Sequence, residues 1–447
     1  MANTRKSKSD LSERVADALC LVVPQESSIV LGLSGGMDSV VLLHLLHRLA
    51  PRFNWQLSAL HIHHGISTNA DEWAKFCEKL CSIYQVPITI ERVDITPLRN
   101  EHGIEAAARK LRHAAFSRQD CDFIALAHHA DDQAETLLLQ LLRGAGIKGV
   151  AAMPLLKPAT TFAHATLRPL LDITRNSLLE YAQKNELNWV EDESNEDDYY
   201  PRNFLRKKIL PKLEVKFPAY RDTLSRSAGH FAEADLLLDE LAQQDAQYWV
   251  KGGPLDLVFL DTLSLHRAKN LLRYFLHASG APMPHSSQLD DMLRQLRDAR
   301  EDAAICIELG QWQVRRYKNK VYAMPALVNF DSHLKLSWHG ETQLEWPASK
   351  GCLHFTKTTG QGLSLKKLQL APVTFRLRSG HEKLRPRCNA AMRSLKNLLQ
   401  EQQIPPWLRE RLPLMYCGDD LVCAVGVATA EDYQAAPGEE SLLVTCN

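Results

Sequence analysis

The chain has no excess of charge of either sign: across 447 residues, Lys and Arg together number 53 and Asp and Glu together number 53. So weak a global field gives a polyanion or a membrane surface no general attraction, and any affinity for nucleic acid has to come from local clusters. Long hydrophobic runs are also missing, since no stretch approaches the roughly 18 apolar residues that a membrane-spanning helix needs. The opening MANTRKSKSDLSER is polar, with no apolar segment behind its basic residues, which predicts a cytoplasmic protein without a secretory leader. Ten cysteines are scattered without paired CxxC spacing, so zinc and iron–sulfur signatures lack their pattern. Cys77 and Cys81 would share one helical face and read as buried thiols. No residue is singled out as a metal ligand, because the histidines of HIHHG (His61 to Gly65) have no Cys or carboxylate at ligand spacing.

What is present is the make-up of a soluble globular chain, 45% hydrophobic and 24% charged. At roughly 150 residues per domain the length suggests about three. Short β-rich runs (SIVLGL, LSALHIHH, ITIERVD, DFIALA) alternate with amphipathic segments (DSVVLLHLLHRLA, ADEWAKFCEKLCSIY, GIEAAARKLRHAAFSRQ, DDQAETLLLQLLRG) whose apolar residues recur at three and four. That alternation predicts an α/β fold with a parallel sheet, every strand's carboxyl end on one edge. The expected order is a nucleotide-binding domain over 1–222, a mainly helical connector over 223–335, and a small α+β C-terminal domain over 336–447. In the last of these, VTFRLRS and LVCAVGVA read as strands around one helix, AAMRSLKNLLQEQQ.

The stretch IVLGLSGGMDS, residues 29–39, ends an apolar run in Ser-Gly-Gly and passes directly into a helical pattern. Such a turn points backbone N–H groups outward with no Cβ in the way, beside the positive end of a helix, and so forms a nest for phosphate oxygens. Ser34 and Ser39 add hydroxyl donors. Asp38 brings negative charge to an anion site, which makes sense where a divalent cation or a leaving pyrophosphate complex is held. The stretch is neither GxxxxGK[ST] nor GxGxxG, and it has no lysine to reach a terminal phosphate.

SGGMDS resembles the SGGxDS signature of the PP-loop ATP pyrophosphatases, which split ATP between its α- and β-phosphates and adenylate an oxygen of their substrate. Within that superfamily HIHHG, GIEAAAR (Gly103 to Arg109), AHHADDQAET (Ala127 to Thr136) and EDESNEDDYYPRNFLR (Glu191 to Arg206) are similar, in order and spacing, to the tRNA(Ile)-lysidine synthetase family. The resemblance implies ATP and Mg²⁺, with ATP bound by Ser34, Gly35, Gly36, Met37, Asp38 and Ser39, together with His61, Arg109 and Arg206. It implies catalytic roles for Asp38, Arg109, Asp132, Glu135 and Arg202, with L-lysine and an isoleucine tRNA bearing a CAU anticodon as partners. It implies no membrane, and a homodimer is a candidate assembly.

The residues themselves leave alternatives open. Asp132 and Glu135 lie at i and i+3 on one helix face, where two carboxylates can recognise an ammonium, hold Mg²⁺ or act as a base, and where acids also favour a helix start. Glu105 and Arg109 have the spacing of an ordinary helix ion pair, while a guanidinium fork also suits phosphate. Between Arg376 and Lys396, seven basic residues (Arg376, Arg378, Lys383, Arg385, Arg387, Arg393 and Lys396) face one acid, Glu382, a stripe suited to RNA backbone. A PP-loop tRNA thiolation enzyme is the alternative enzyme, and a non-enzymatic RNA-binding protein with a relict nucleotide loop the alternative outside catalysis. The first wants a reactive cysteine pair; the second would not need Asp38, Asp132 and Glu135, all of which are present.

Overall fold

A computed structural model describes residues 10–446 apart from 66, 95, 97–103, 160–162, 192–200, 248, 301, 302, 304, 328, 350 and 387–390. Gly103, most of the acidic stretch before Pro201, and Arg387 therefore lie outside the described residues. Two compact units divide between Glu240 and Leu241.

The first unit is built on the strands β1 (Ser28–Gly32), β2 (Gln56–His63), β3 (Ile88–Arg92), β4 (Phe123–Ala125), β5 (Leu156–Lys157) and β6 (Ala165–Leu167), in the order β3-β2-β1-β4-β6-β5. All neighbours run parallel except β5, which pairs antiparallel with β6. Around them lie α1 (Leu11–Cys20), α2 (Met37–Phe53), α3 (Ala70–Tyr84), α4 (Ile104–Ser117) and α5 (Ala130–Leu142). The central strand is apolar on both faces, with Ile29, Val30 and Leu31 all buried, as a sheet covered on both sides requires. In α2 the run Val40 to Leu46 is buried apart from His44, so the helix that starts at the glycine turn is pinned from one end to the other. Each of its buried leucines contributes about 2 kcal/mol of transfer free energy.

In α3 the buried residues are Ala70, Ala74, Cys77 and Cys81, spaced as one helical stripe, so both cysteines face the core. After residue 200 the chain forms a helical turn (Pro201–Phe204), a wider π turn (Leu205–Ile209) and a further helix (Leu210–Lys216). Pro211 explains the widening. It has no N–H for the carbonyl of Lys207, and its ring would crowd that carbonyl in a regular α-helix.

In the second unit, helices Leu265–Ala278 and Ser286–Asp298 pack Phe275, Leu271, Met292 and Leu296 against a four-stranded antiparallel sheet drawn from residues 255–325. The sequence pattern showed this region only as mainly helical, because its strands are two to six residues long and turn tightly at Gly310 and Lys318, both at positive φ. A second core, with Trp346, Phe355, Phe375 and Met415, holds two antiparallel sheets in residues 335–446. The helix there spans Leu395–Glu401, shorter than the pattern suggested, because Arg393–Ser394 pairs as a strand with Lys383–Leu384. The Ser394 hydroxyl then caps the helix by accepting from Asn397 N. Among the described residues no helix is long and apolar enough to cross a membrane.

Candidate active site

The loop between β1 and α2 is held from below. Leu33 N donates to Leu60 O at 2.9 Å, and Leu33 O lies 2.9 Å from the Nδ1 of His61, whose ring is 4% exposed. Burial lowers the pKa of His61, so the ring is neutral and its Nδ1–H donates to that carbonyl. Cys77 Sγ lies 3.4 Å from the same nitrogen. His61 is thus a buried support of the loop's base.

Gly35 has φ +87°, and a Cβ there would sit 2.9 Å from Val190 Cγ2 and 3.2 Å from Cys77 Sγ. Both the left-handed backbone and the crowding demand glycine. Gly36 is the N-cap of α2 and has no side-chain cap, so no side chain of its own covers the first amides of the helix. The Ser34 hydroxyl accepts from Gly36 N at 3.3 Å and lies 3.1 Å from the Ser39 hydroxyl, which donates to Gly36 O at 2.8 Å. The donor set fits a polyphosphate: outward amides, two hydroxyls and a positive helix end.

Asp38, on the first turn of α2, meets α5 through His129. This imidazole, 2% exposed, places Nε2 3.6 Å from Asp38 Oδ2 and 3.4 Å from Asp132 Oδ2, with Nδ1 3.7 Å from Asp131 Oδ2. Burial disfavours its charged form, but Asp38, Asp132 and Asp131 outweigh burial, so its pKa is raised. Asp132 Oδ2 also accepts from His129 N at 3.0 Å, closing the first turn of α5. Its burial would raise its pKa; the charges of His129 and Arg202 reverse that and hold the carboxyl below its ordinary value.

Residues 201–209 bring two guanidinium groups, four residues apart, onto the same carboxylates. Arg202 Nη2 donates to Asp132 Oδ1 at 2.6 Å and Arg202 Nε to Glu135 Oε2 at 2.7 Å. Arg206 Nε donates to Glu135 Oε1 at 2.6 Å and its Nη2 to Asp132 Oδ1 at 3.3 Å. Glu135 is fully buried, and both its oxygens are satisfied by arginine. Asp131 faces the other way, accepting from Arg175 N at 2.9 Å and from Arg221 Nε.

Asp38, Asp132, Glu135, Arg202 and Arg206 are therefore one constellation beside the glycine loop. Among the described residues no hydrogen bond or ion pair joins Arg109 to it; Arg109 is exposed on α4, where its charge bears on His113 and Arg168. The side chain of Glu105 lies outside the described residues. His129 was not singled out in the sequence, although its place as the residue before α5, between an Asp-rich turn and a strand end, was the available signal. In the C-terminal basic stripe, Arg376 donates to Gly418 O at 2.9 Å, Arg378 pairs with Glu382 at 3.5 Å and Arg393 pairs with Glu401, so these three are bound within the domain.

Comparison with known proteins covers nearly the whole chain. A family model described as "PP-loop domain" matches residues 4–213, one described as "TilS substrate binding domain" matches 255–322, and one described as "TilS substrate C-terminal domain" matches 373–446. A protein of Nitrosomonas europaea named tRNA(Ile)-lysidine synthase is 41% identical over 99% of this chain and 97% of its own length. The proteins of that name from Azoarcus sp. and Coxiella burnetii are 40% and 38% identical, each over 93% of this chain and over 91% and 92% of their own lengths.

Proposed function

The chain belongs to the tRNA(Ile)-lysidine synthases, and from that premise we propose that it ligates L-lysine to carbon 2 of the wobble cytidine in the CAU anticodon of an isoleucine tRNA. The observation that carries the reading is the convergence of Asp38, Asp132, Glu135, Arg202 and Arg206 at the mouth of the Ser34 to Ser39 loop.

The chemistry needs two steps, because the cytosine O2 is a poor leaving group. O2 attacks the α-phosphorus of ATP, breaking the bond to the β-phosphate oxygen and releasing diphosphate. The lysine amine, having given up a proton, then attacks C2, and AMP leaves with the former O2. The amides and hydroxyls of the loop orient the polyphosphate and stabilise charge that builds on it. Mg²⁺ bound to ATP supplies charge neutralisation, and Asp38, whose Oδ1 is buried without a hydrogen-bond partner, is the carboxylate suited to hold it.

Asp132 and Glu135 suit the lysine ammonium and the proton it must lose. Arg202 and Arg206 now satisfy both carboxylates, and an incoming phosphate offers those guanidiniums a competing bidentate partner. Exchange of an arginine from carboxylate to phosphate frees an anionic oxygen for lysine at the moment the nucleotide is in place. Arg109, exposed and apart from this cluster, is suited to contact phosphate. The anticodon loop presents its bases unstacked, as access to such a site requires.

A sulfur-transfer reading has no support here. Burial pushes the thiols near the loop up, Cys77 to about 12 and Cys81 to about 11, so neither supplies a thiolate. The test is incorporation of radiolabelled lysine into isoleucine tRNA with a CAU anticodon, with ATP and Mg²⁺, against methionine tRNA with the same anticodon. ATP-dependent labelling of the isoleucine tRNA is expected. Diphosphate release that needs a sulfur donor and leaves lysine unused would contradict it.

A further inference from the structure

The segment after residue 200 meets two requirements set by one helix, α5. Upstream, Arg206 Nε and Nη2 donate to Glu135 Oε1 and Oε2 at 2.6 and 3.0 Å, and Arg202 Nε donates to Glu135 Oε2 at 2.7 Å. Downstream, Leu210 packs on Ala134 of α5 and on Tyr220, and is 4% exposed. Leu205, within the arginine segment, is equally buried. Around a regular α-helix, residues five apart stand about 140° from one another, so Leu205 and Leu210 would face different sides. The wide turn Leu205–Ile209 brings them nearly into line instead, closed by the bond from Leu210 N to Leu205 O.

The extra residue in that turn sets the phase between the arginine face and the leucine face. Relaxed to a regular helix, the segment would swing one face by roughly a quarter-turn, taking either Leu210 off Ala134 or the guanidiniums off Glu135. Arg206, Leu210 and Pro211 also line, with Asp131, Glu135 and Tyr220, a cavity of about 130 Å³. A change of phase therefore alters the space beside Glu135 as well as its ion pairs. What excludes the regular helix is Pro211, which has no N–H for Lys207 O and whose ring would crowd that carbonyl. Pro211 is itself exposed, so it acts on the backbone rather than by packing.

Resting on the reading of this chain as a lysidine synthase, we propose that Pro211 is a positioning residue for lysine transfer. By excluding the regular helix it keeps the wide turn, and the wide turn holds Arg206 on Glu135 while Leu210 stays in its apolar seat. The carboxylates that receive the lysine ammonium are thereby kept in one geometry until substrate arrives.

The experiment compares the wild type with Pro211→Ala, with a deletion of Lys208, and with the two changes combined. Lys208 is exposed and lies within the wide turn, so its deletion takes out the residue that the turn absorbs. The quantity read is the rate at which lysine discharges adenylated tRNA. Pro211→Ala supplies the missing N–H and is expected to fold, since alanine suits a helix. It is expected to discharge the adenylate about ten- to a hundredfold more slowly, the scale of a small misplacement near the reacting groups. Deletion of Lys208 alone is expected to be slow as well, because proline still forbids the regular helix that the shortened segment needs. The combined variant is expected to recover most of the wild-type rate, because a regular helix with one residue fewer restores the phase on both sides.

A Pro211→Ala protein that discharges the adenylate at the wild-type rate would overturn the role, and so would a combined variant no faster than Pro211→Ala. Failure of Pro211→Ala to fold, not recovered by the deletion, would also overturn it, since Pro211 would then serve the fold alone. Should the wild type transfer no lysine, the proposed function fails and urea unfolding still decides the role of Pro211. Arg206→Met should then destabilise the wild type and leave the Pro211→Ala protein almost unchanged, whereas equal losses in both backgrounds would overturn the positioning role.

Discussion

Arg202 Nε donates to Glu135 Oε2 at 2.7 Å, and Glu135 has no exposed surface. A carboxylate so placed is tolerated only while its partners remain, because an ion stranded in the interior loses hydration with nothing in return. Glu135→Leu leaves Arg202 and Arg206 to share Asp132 and should lower stability by about 2 to 3 kcal/mol, less than the roughly 3 to 5 kcal/mol of a broken, fully buried pair because both arginines keep about a third of their side-chain surface in water. Glu135→Leu combined with Arg206→Leu should recover part of the loss, read as a non-additive double-mutant cycle in urea unfolding. Additive losses would mean that the pair is not coupled.

His129 carries a pH signature with a definite sign. Its folded pKa is raised, so its interaction with Asp38, Asp132 and Asp131 stabilises fully below the unfolded value of about 6.5 and is lost as pH rises through the higher folded value. Asp132 has the opposite sense: its folded pKa is lowered, so its contribution is present above about 3.9 and is lost as acid protonates it. Melting temperatures of wild type and His129→Asn should therefore converge as pH is raised from 6 to 9. A gap that stays constant over that range would show that His129 does not act as a cation.

Gly35 and Gly36 should respond differently to one added methyl group. Gly35→Ala meets both a left-handed backbone and the close approach of Val190 and Cys77, and should cost about 1 to 2 kcal/mol and raise KM for ATP. Gly36→Ala has an ordinary φ of −71° and its Cβ comes only to 3.5 Å from Ser34 Oγ, so its stability should stay within about 0.5 kcal/mol of wild type. Urea unfolding and ATP titrations of the two variants check this ordering.

Thiol chemistry offers a further check. Cys20, Cys306 and Cys446 are exposed, whereas Cys77 and Cys81 are buried and held protonated. Iodoacetamide at pH 8 should label the exposed cysteines of the native protein and spare Cys77 and Cys81 until urea is added. Rapid native labelling of Cys77 would contradict its packing beneath the loop.

The catalytic domain was legible in the sequence wherever a local pattern carried the information. The limits of α3, Ala70 and Tyr84, coincide with the amphipathic segment read from the sequence, because Ala70, Ala74, Cys77 and Cys81 form an unbroken apolar stripe. The glycine turn between β1 and α2 was legible because its residue types have few other uses. What was not legible depends on partners far apart in the chain. The spacing of Arg202 and Arg206 suited phosphate as well as it suits Glu135, which lies 67 and 71 residues away. The burial of Arg168, with Nη1 on Pro154 O, was likewise not legible from LRPLL alone. The strands β5 and β6, of two and three residues, are too short to leave a period.

In the proposed function Asp132 and Glu135 serve the lysine half of the reaction, once ATP has adenylated the cytidine. The deciding measurement uses ATP labelled at the α-phosphate, CAU isoleucine tRNA and the Asp132→Asn enzyme, with and without lysine. Label is expected to accumulate on the tRNA as adenylate and to persist when lysine is added, while the wild type discharges it as AMP. A folded Asp132→Asn enzyme that discharges the adenylate at the wild-type rate, or that never forms it, would contradict the assignment.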